Sequence, residues 1–535
     1  YAPTLTSATM AVKQQLTMTM AVMMAMLLVL GQGIMAAPLS ASSPEAAAAV
    51  SEVSEVDARG EGLVREFSVL SRPMKLKYGE VHNTVQDPIK LPENIVQEFA
   101  ERPIAIVDYQ VDIVRFDDEG NEVQVPLYDG YNHHYLMILG RYETMKSLYE
   151  SHKLDPYGGY GLNTTANKPT TRTSSMASMQ QLKRSMMDFG GSGKRERAAN
   201  FGGGSGAEER GTSHRLPRPY AHVVDKPEAL MPLIHLINTK DNSTAGEGYS
   251  PLLECPCTPQ RTFDVKDDLV DGRPPIPPFS CNLNFESQQN PSCSITRYES
   301  GFRCCEHGVF VVDTDQYDVE SLPVTEFYFK FNFKYEKAVS EDDEDGDEDT
   351  NNAGLVTLPV RPPLCCDVTA NLTVGGNIEF DVPLCTPGTA PEDCIFEMAS
   401  TQFFDLQANY HSSATEHEKE EDPNELVGLV YAVGHLHVGG LSLDLYNDET
   451  GELICHSDPT YGTGEEAGNE LDYLVGMSDC VFDPPLYMKR SQLLRTVSRY
   501  NSTINHRGVM ALWLMEVTDA DASTTTRLSS SSSSL

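Results

Sequence analysis

Two histidines at alternating positions have the residue type and spacing to hold a metal ion. His435 and His437 lie in the segment GLVYAVGHLHVGGLSL, whose apolar and β-branched residues predict a strand. Since successive strand side chains point to opposite faces, both imidazoles share one face, about 6.5–7 Å apart along the backbone. Two nitrogen ligands at that spacing can close on one ion. The alternative interpretation is an ordinary pair of half-buried histidines.

A second pair, His133 and His134, occupies adjacent positions in YNHHYLMIL. Neighbours in a strand face opposite ways, so both can reach one ion only if the backbone is bulged or bent, and the preceding Asp129-Gly130 is a suitable place for this. His235, in the apolar stretch LIHLINT, is a candidate third ligand brought in by folding. Taken alone, a histidine of that kind is more often a core residue satisfied by one hydrogen bond.

A methionine on a late strand adds a softer donor. Met510 lies in HRGVMALWLMEV, which reads as a strand. A thioether is a poor ligand for zinc or calcium but a good one for cuprous ion, whereas the simpler interpretation of any buried methionine is core packing. His506 has the same strand parity as Met510 and is a reserve ligand.

The charge balance excludes one large class of partners. The chain has 535 residues, with 40 Lys plus Arg against 78 Asp plus Glu and a formal net charge of −38. Because binding to phosphate backbones requires a surplus of basic residues, we expect no nucleic-acid partner, and anionic membrane surfaces are disfavoured for the same reason. The 40% hydrophobic content is typical of a globular protein.

The N-terminal segment predicts secretion. An almost uncharged run from Leu16 to Leu30 follows Lys13 and precedes small residues, the order found in a secretory signal peptide, with a membrane anchor as the alternative. Later runs of apolar residues are too short to span a bilayer, so we expect no stable membrane span in the mature chain. The predicted location is therefore extracellular.

Twelve cysteines fit that compartment, because an even number in a secreted chain predicts disulfides. The spacings Cys255-Pro-Cys257 and Cys304-Cys305-Glu-His307 can also mimic a zinc site, although disulfides are the preferred interpretation. Glycosylation is permitted by the four sequons, at Asn163, Asn242, Asn371 and Asn501.

Strand signals dominate the ordered parts of the chain. IAIVDYQVDIVRF and NEVQVPLYDGYNHHYLMILG are both β-rich, and the turn DDEGN predicts that they form a hairpin. Phe327, Phe329, Phe331 and Phe333 alternate and therefore share a face. Almost no helical periodicity occurs. We predict a mostly β fold of two antiparallel β-sandwich domains, jelly-roll-like, with a Cys-rich insertion and disordered loops.

The predicted organisation follows from shifts in composition along the chain. In order, it comprises a signal peptide with an upstream extension (1–41), a leader (42–95), a first β-sandwich (96–245) with a disordered insertion (163–218), a Cys-rich segment and strand (246–340), an acidic disordered loop (341–354), a second β-sandwich (355–518) and a disordered Ser-rich tail (519–535).

Several of these motifs resemble a known family. GHLHVGG, ICHSDPTYGTGEEAGNELDYLVGMSDC and SRYNSTINHRGVMAL are similar to the plant stress up-regulated nodulin family, and YNHHYLMIL with KPEALMPLIHLINT fits it too. The resemblance covers most of Ile104 to Val517 outside the low-complexity insertion and the acidic tract, and is most specific from Gly434 to Cys480. It implies no established biochemical function.

A more distant resemblance links the same landmarks to the copper type II, ascorbate-dependent monooxygenases of the peptidylglycine and dopamine hydroxylating type. In that family a His-His pair and a later His form one copper site, and a His-x-His strand with a late Met forms the other. The matching residues occur here in the same chain order. They are His133, His134 and His235 for the first site, and His435, His437 and Met510 for the second.

That resemblance implies two sandwiches facing each other across a wet cleft, two copper ions, ascorbate as reductant and hydroxylation of a substrate C–H bond. A substrate-carboxylate clamp has no match in the sequence, so the small-molecule or peptide substrate stays open. Two alternatives come from other classes. One is a noncatalytic extracellular stress or cell-surface protein that keeps the fold, and the other is a zinc enzyme using the three-histidine site.

Overall fold

The computed structural model describes only part of the chain. The described residues are 55–56, 63–153, 197–202, 210, 212, 214–240, 307–312, 318–340, 356–370, 378–406 and 422–520. The predicted signal peptide, the cysteines from Cys255 to Cys305, the acidic loop and nearly all of the Ser-rich tail lie outside them. Within the described residues, no helix combines the length and apolar character that crossing a membrane requires.

The first half of the described chain consists of two sheets and two helices. Its strands are β1 Glu55–Val56, β2 Leu63–Leu70, β3 Met74–Lys77, β4 Val81–Val85, β5 Ile89–Lys90, β6 Ile104–Phe116, β7 Glu122–Gln124, β8 Gly130–Gly140, β9 Ala199–Gly202, β10 Tyr220–Val224, β11 Ala229–Asn238, β12 Val324–Lys337 and β13 Leu358–Pro359, and its helices are α1 Glu93–Glu98 and α2 Tyr142–Lys153.

These strands form a sandwich. One sheet has the order β1-β2-β12-β6-β10-β13, with β3 and β7 at its margins, and the other has the order β4-β11-β8-β9, with β5 beside β11. The four alternating phenylalanines of β12 are fully buried in the core that both sheets share, as their spacing predicts. The predicted hairpin between β6 and β7 is confirmed, while β8 continues into the opposite sheet.

The second half is built from shorter strands. They are β14 Phe380–Val382, β15 Ile395–Phe403, β16 Leu426–Leu436, β17 Gly440–Asn447, β18 Leu453–Ser457, β19 Pro459–Tyr461, β20 Leu474–Met477, β21 Asp479–Lys489, β22 Leu493–Asn501, β23 His506–Val509 and β24 Ala511–Asp519. The sheet β15-β22-β17-β18 packs on the sheet β21-β16-β24, with Leu443 and Leu494 of the first and Trp513 and Met515 of the second in one core. The mostly β, antiparallel fold predicted from the sequence is therefore confirmed.

Two segments differ from the predicted organisation. Residues 63–95, expected in the leader, supply β2 to β5 and α1, because Phe67 and Val69 alternate with polar residues and enter the core, where Phe67 stacks on Phe333 at 5.1 Å between ring centroids. Within the predicted insertion, β9 pairs with β8 and buries Phe201. One aromatic residue among glycines was too weak a sequence signal to predict that strand.

Helix α2 is a further difference, since the sequence shows little helical periodicity. It covers one end of the outer face of the β8–β11 pair, where Met145 contacts a cluster that contains Leu136, Ile138 and Met231. The other end of that face is covered by a cluster in which Tyr131 of the first half meets Tyr473 of the second. Both ends of the face are thus closed to solvent.

A buried carboxylate fixes the contact between the halves. Glu470, fully buried, receives hydrogen bonds from the Leu127 backbone N–H at 2.9 Å and the Gly468 N–H at 3.0 Å. Arg210 pairs with it at 3.1 Å and also pairs with Asp112 of β6. Because a buried charge is tolerated only when it is paired and hydrogen-bonded, this arrangement favours one orientation of the two halves.

The described cysteines are all in disulfides, in agreement with the prediction from their number. The bonds join Cys365 with Cys366, Cys385 with Cys394 and Cys455 with Cys480. The second and third close loops of the second sandwich, and such closure restricts the unfolded chain.

Replacing Glu470 should destabilise the contact between the two sandwiches. We expect Glu470→Gln to lower the free energy of unfolding by about 2–3 kcal/mol, below the full cost of breaking a buried ion pair because Arg210 keeps Asp112. Urea unfolding followed by fluorescence measures this. Glu465→Gln, an exposed residue of the same loop, is the matched control and should unfold like the wild type; equal midpoints for both variants would contradict the assignment.

Candidate metal centre

The first trio of histidines lies on the outer face of the β8–β11 pair. His235 of β11 is the register partner of His134 of β8, so their side chains share a face. Ile234 and Leu236 point the opposite way into the sandwich core. The histidines thus occupy the middle of a face whose two ends are closed by apolar clusters.

A β-bulge brings the adjacent histidines together. The register shifts so that His235 pairs with His134 while Leu236 pairs with Asn132, which leaves His133 as the extra residue. The bulge required by the adjacent pair is confirmed, although it falls at His133 itself and not at Asp129-Gly130. It removes the strict alternation that would have sent the two imidazoles to opposite faces.

The three histidines of the trio lie close enough together to hold one metal ion. One nitrogen from each of His133, His134 and His235 lies within 4.8 Å of the others. The Nδ1 of His134 is 3.3 Å from that of His133 and 3.4 Å from that of His235. None of the three side chains is more than 7% exposed, and Nε2 of His235 is buried without a hydrogen-bond partner.

The second set lies on the outer face of the β16–β24 pair. The ring centroids of His435 and His437 are 5.2 Å apart, and both residues are buried. His435 is paired with Leu512 and Leu436 with Ala511, so one further step of the register places Met510 opposite His437. Met510 therefore shares the face of the two histidines, while Trp513 points into the core.

The two sets adjoin each other. The ring of His437 lies edge-on to that of His133, with 5.2 Å between centroids. A wet cleft between two separate sites was implied by the resemblance to the monooxygenases; here imidazoles from both halves form one buried cluster. The reason is the closed contact between the halves around Tyr473 and Glu470.

A glycine turn follows His437, which lies just beyond the end of β16. Gly439 has φ +95°, and a Cβ there would lie 2.3 Å from Cε1 of His506. Tyr461 secures the turn by accepting a hydrogen bond from the Gly439 N–H and donating one to the Gly440 carbonyl. His506, the predicted reserve ligand, lies in β23 with Nε2 2.9 Å from the Asn501 carbonyl, packed on the turn.

Burial sets the protonation of His235. It lowers the pKa of His235 well below its ordinary value, and the neighbouring histidines His133 and His134 lower it further because like charges repel. The pKa of His82, on the adjacent β4, is lowered to about 3 by burial and by His307. At neutral pH His235 is therefore neutral, the form in which imidazole binds a metal.

Two residues near the cluster, His82 and Tyr500, were not found from the sequence. His82 lies with 5.0 Å between its ring centroid and that of His307, and it acts on the pKa of His235. Tyr500 accepts a hydrogen bond from the backbone N–H of His437 through its hydroxyl. His82 sits in a short polar strand and the role of Tyr500 depends on long-range packing, so no local signal identifies them. His307 was named only for its spacing from Cys304 and Cys305, and that spacing did not predict its contact with His82.

The donor set limits the chemistry. Three imidazoles without a carboxylate suit copper or zinc and disfavour calcium or magnesium, which require oxygen ligands. The second set adds a thioether, a ligand for a soft ion such as cuprous copper. Both sets are shielded from bulk water, which strengthens electrostatic interactions within them.

Comparison with known proteins places the second half in context. The family model described as stress up-regulated Nod 19 matches residues 371–520. That range includes His435, His437 and Met510, together with the specific stretch from Gly434 to Cys480, whereas the first trio lies outside it. The curated proteins contain no match to the chain. Over residues 371–520, this protein is similar to the stress up-regulated Nod 19 family.

Proposed function

We propose that this nodulin-like protein binds transition-metal ions through the histidines at the contact between its two sandwiches. The observation that carries the proposal is the convergence of His133, His134 and His235, whose ligand nitrogens lie within 4.8 Å of one another. Nδ1 of His134 lies 3.3 Å from Nδ1 of His133 and 3.4 Å from Nδ1 of His235, and imidazole nitrogens gathered in this way can ligate one ion.

Copper is the proposed metal, with two ions per chain. His435 and His437 share their face with Met510, and a mixed set of imidazole and thioether favours the cuprous state over zinc. The first trio, with imidazoles alone, accepts either oxidation state. The proposal includes secretion, which the disulfides of the described residues support, because an extracellular protein would meet copper and ascorbate.

The proposed reaction is hydroxylation of a substrate C–H bond. With copper bound and ascorbate supplying two electrons and two protons, one atom of dioxygen enters the C–H bond and the other leaves as water. The chain's own part is to bury the ligands, keep His235 neutral and hold the two sets next to each other through Glu470. The substrate is a small molecule or peptide of unassigned structure.

The first test removes one donor of the trio. We expect His235→Ala to lose one of two copper ions per chain, with affinity at that site falling by more than the about 10–100-fold typical of outer-shell changes. Elemental analysis after dialysis against a buffered copper series measures both quantities. His456→Gln is the control, since that ring pairs with Asp444 and Asp458 outside the cluster. An unchanged stoichiometry in His235→Ala would refute the site.

The second test separates copper from zinc. Met510→Leu conserves volume and removes the sulfur, so we expect cuprous affinity to fall about tenfold or more while zinc binding is unchanged. Met515→Leu is the control, because Met515 of β24 packs in the core of the second sandwich. If Met510→Leu behaves like its control and zinc binds at one per chain, the zinc enzyme is the better interpretation.

A third measurement addresses catalysis. Copper-loaded wild type should consume oxygen in the presence of ascorbate and a trial substrate, and His235→Ala should not. Two tightly bound copper ions without substrate-dependent oxygen uptake across a panel of peptides and phenols would favour the noncatalytic stress or cell-surface protein.

A further inference from the structure

The hydroxyl of Tyr500 joins the two strand ends that carry the second donor set. The backbone N–H of His437 donates to the Tyr500 oxygen at 2.9 Å, and the Tyr500 O–H donates to the backbone carbonyl of Met510 at 2.5 Å. Tyr500 is fully buried. One oxygen atom therefore sets the separation between the backbones of a histidine and a methionine that share a face.

This link lies where the strand ladder stops. The pairing of β16 with β24 ends at Leu436 and Ala511, and His437 and Met510 are the next residues on each strand. Beyond a ladder end, backbone groups lose the regular hydrogen bonds that would fix their spacing. The Tyr500 hydroxyl supplies one acceptor and one donor at that point.

The position of the hydroxyl is itself fixed by the opposite sheet. Tyr500 belongs to β22, where it pairs with Phe396 of β15 and Gly440 of β17. Its ring packs edge-on against Phe380, with 5.7 Å between centroids, in the core between the two sheets. The side chain thus reaches from one sheet through the core to the ligand-bearing strands of the other.

We propose that Tyr500 is a positioning residue for the second metal-binding set, holding the His437 and Met510 backbones at the separation that lets imidazole and thioether converge on one ion. This inference rests on the proposed function. Loss of the hydroxyl leaves a buried N–H and a buried carbonyl to find other partners, so the strand ends shift. The trio is carried by β8 and β11, whereas the hydroxyl of Tyr500 bonds to the backbones of His437 and Met510, so the trio should be unaffected.

The test compares Tyr500→Phe, which deletes one oxygen atom, with Met510→Leu. The readouts are a cuprous titration against a chromophoric chelator and the sulfur contribution to copper(I) X-ray absorption. We expect Tyr500→Phe to lose most of the sulfur signal and about tenfold in cuprous affinity at the second set, while the ion at the three-histidine site is retained. The double variant should be no weaker than Met510→Leu alone, because both changes remove the same interaction.

A control separates positioning from general destabilisation. Leu445→Ala removes packing from the same core without touching the hydroxyl, so it should lower the melting temperature and keep the sulfur signal. Should Tyr500→Phe fold poorly, amide hydrogen exchange of the wild type decides: the His437 amide should be protected, and more so with copper(I). Rapid exchange there would overturn the inference.

The remaining outcomes are distinguishable. A sulfur signal and cuprous affinity unchanged in Tyr500→Phe, with both reduced in Met510→Leu, would refute the role of Tyr500 and leave the second site standing. A wild-type protein that binds no copper at all would refute the proposed function instead.

Discussion

The candidate centre depends on the buried Glu470 and the contact it secures between the two halves. The carboxylate is held by two backbone N–H groups and by Arg210, which is itself paired with Asp112 of the first sandwich. Any sliding of one half on the other would break these bonds in a place that water cannot reach. The orientation that results is the one in which His437 meets the ring of His133. The histidines of the two sandwiches thereby share one buried cluster.

Burial then determines what the imidazoles can do. Desolvation disfavours the charged form of histidine, so the pKa of His235 falls and the ring stays neutral. In water a protonated histidine would repel a cation, and metal binding would compete with protons. At His235 the lowered pKa reduces that competition.

Strand periodicity accounts for what the sequence could predict. The shared face of His435 and His437, the four buried phenylalanines of β12 and the need for a bulge at His133-His134 all follow from the two-residue repeat of a strand. The strands at 63–90 were not predicted because β4 is short and polar and Phe67 stands among Ser and Glu. The partner of β2 and β3 is β12, which lies more than two hundred residues away, and the partner of β4 and β5 is β11, so local patterns carry no information about either pairing.

The spacing of the histidines along the chain could not predict that the two donor sets lie next to each other, because this depends on how the sandwiches pack together. Matching ligand types in order along the chain is compatible with an open cleft or with a closed contact, and those arrangements differ in chemistry. In an open cleft, substrate and water separate the two sets, and the electron must travel between them. In the closed contact the imidazoles of His437 and His133 touch, so a substrate can enter between the sets only if Glu470 and its partners release the contact. The bonds of Glu470 stabilise the contact, and the same bonds must break before a substrate can reach the centre.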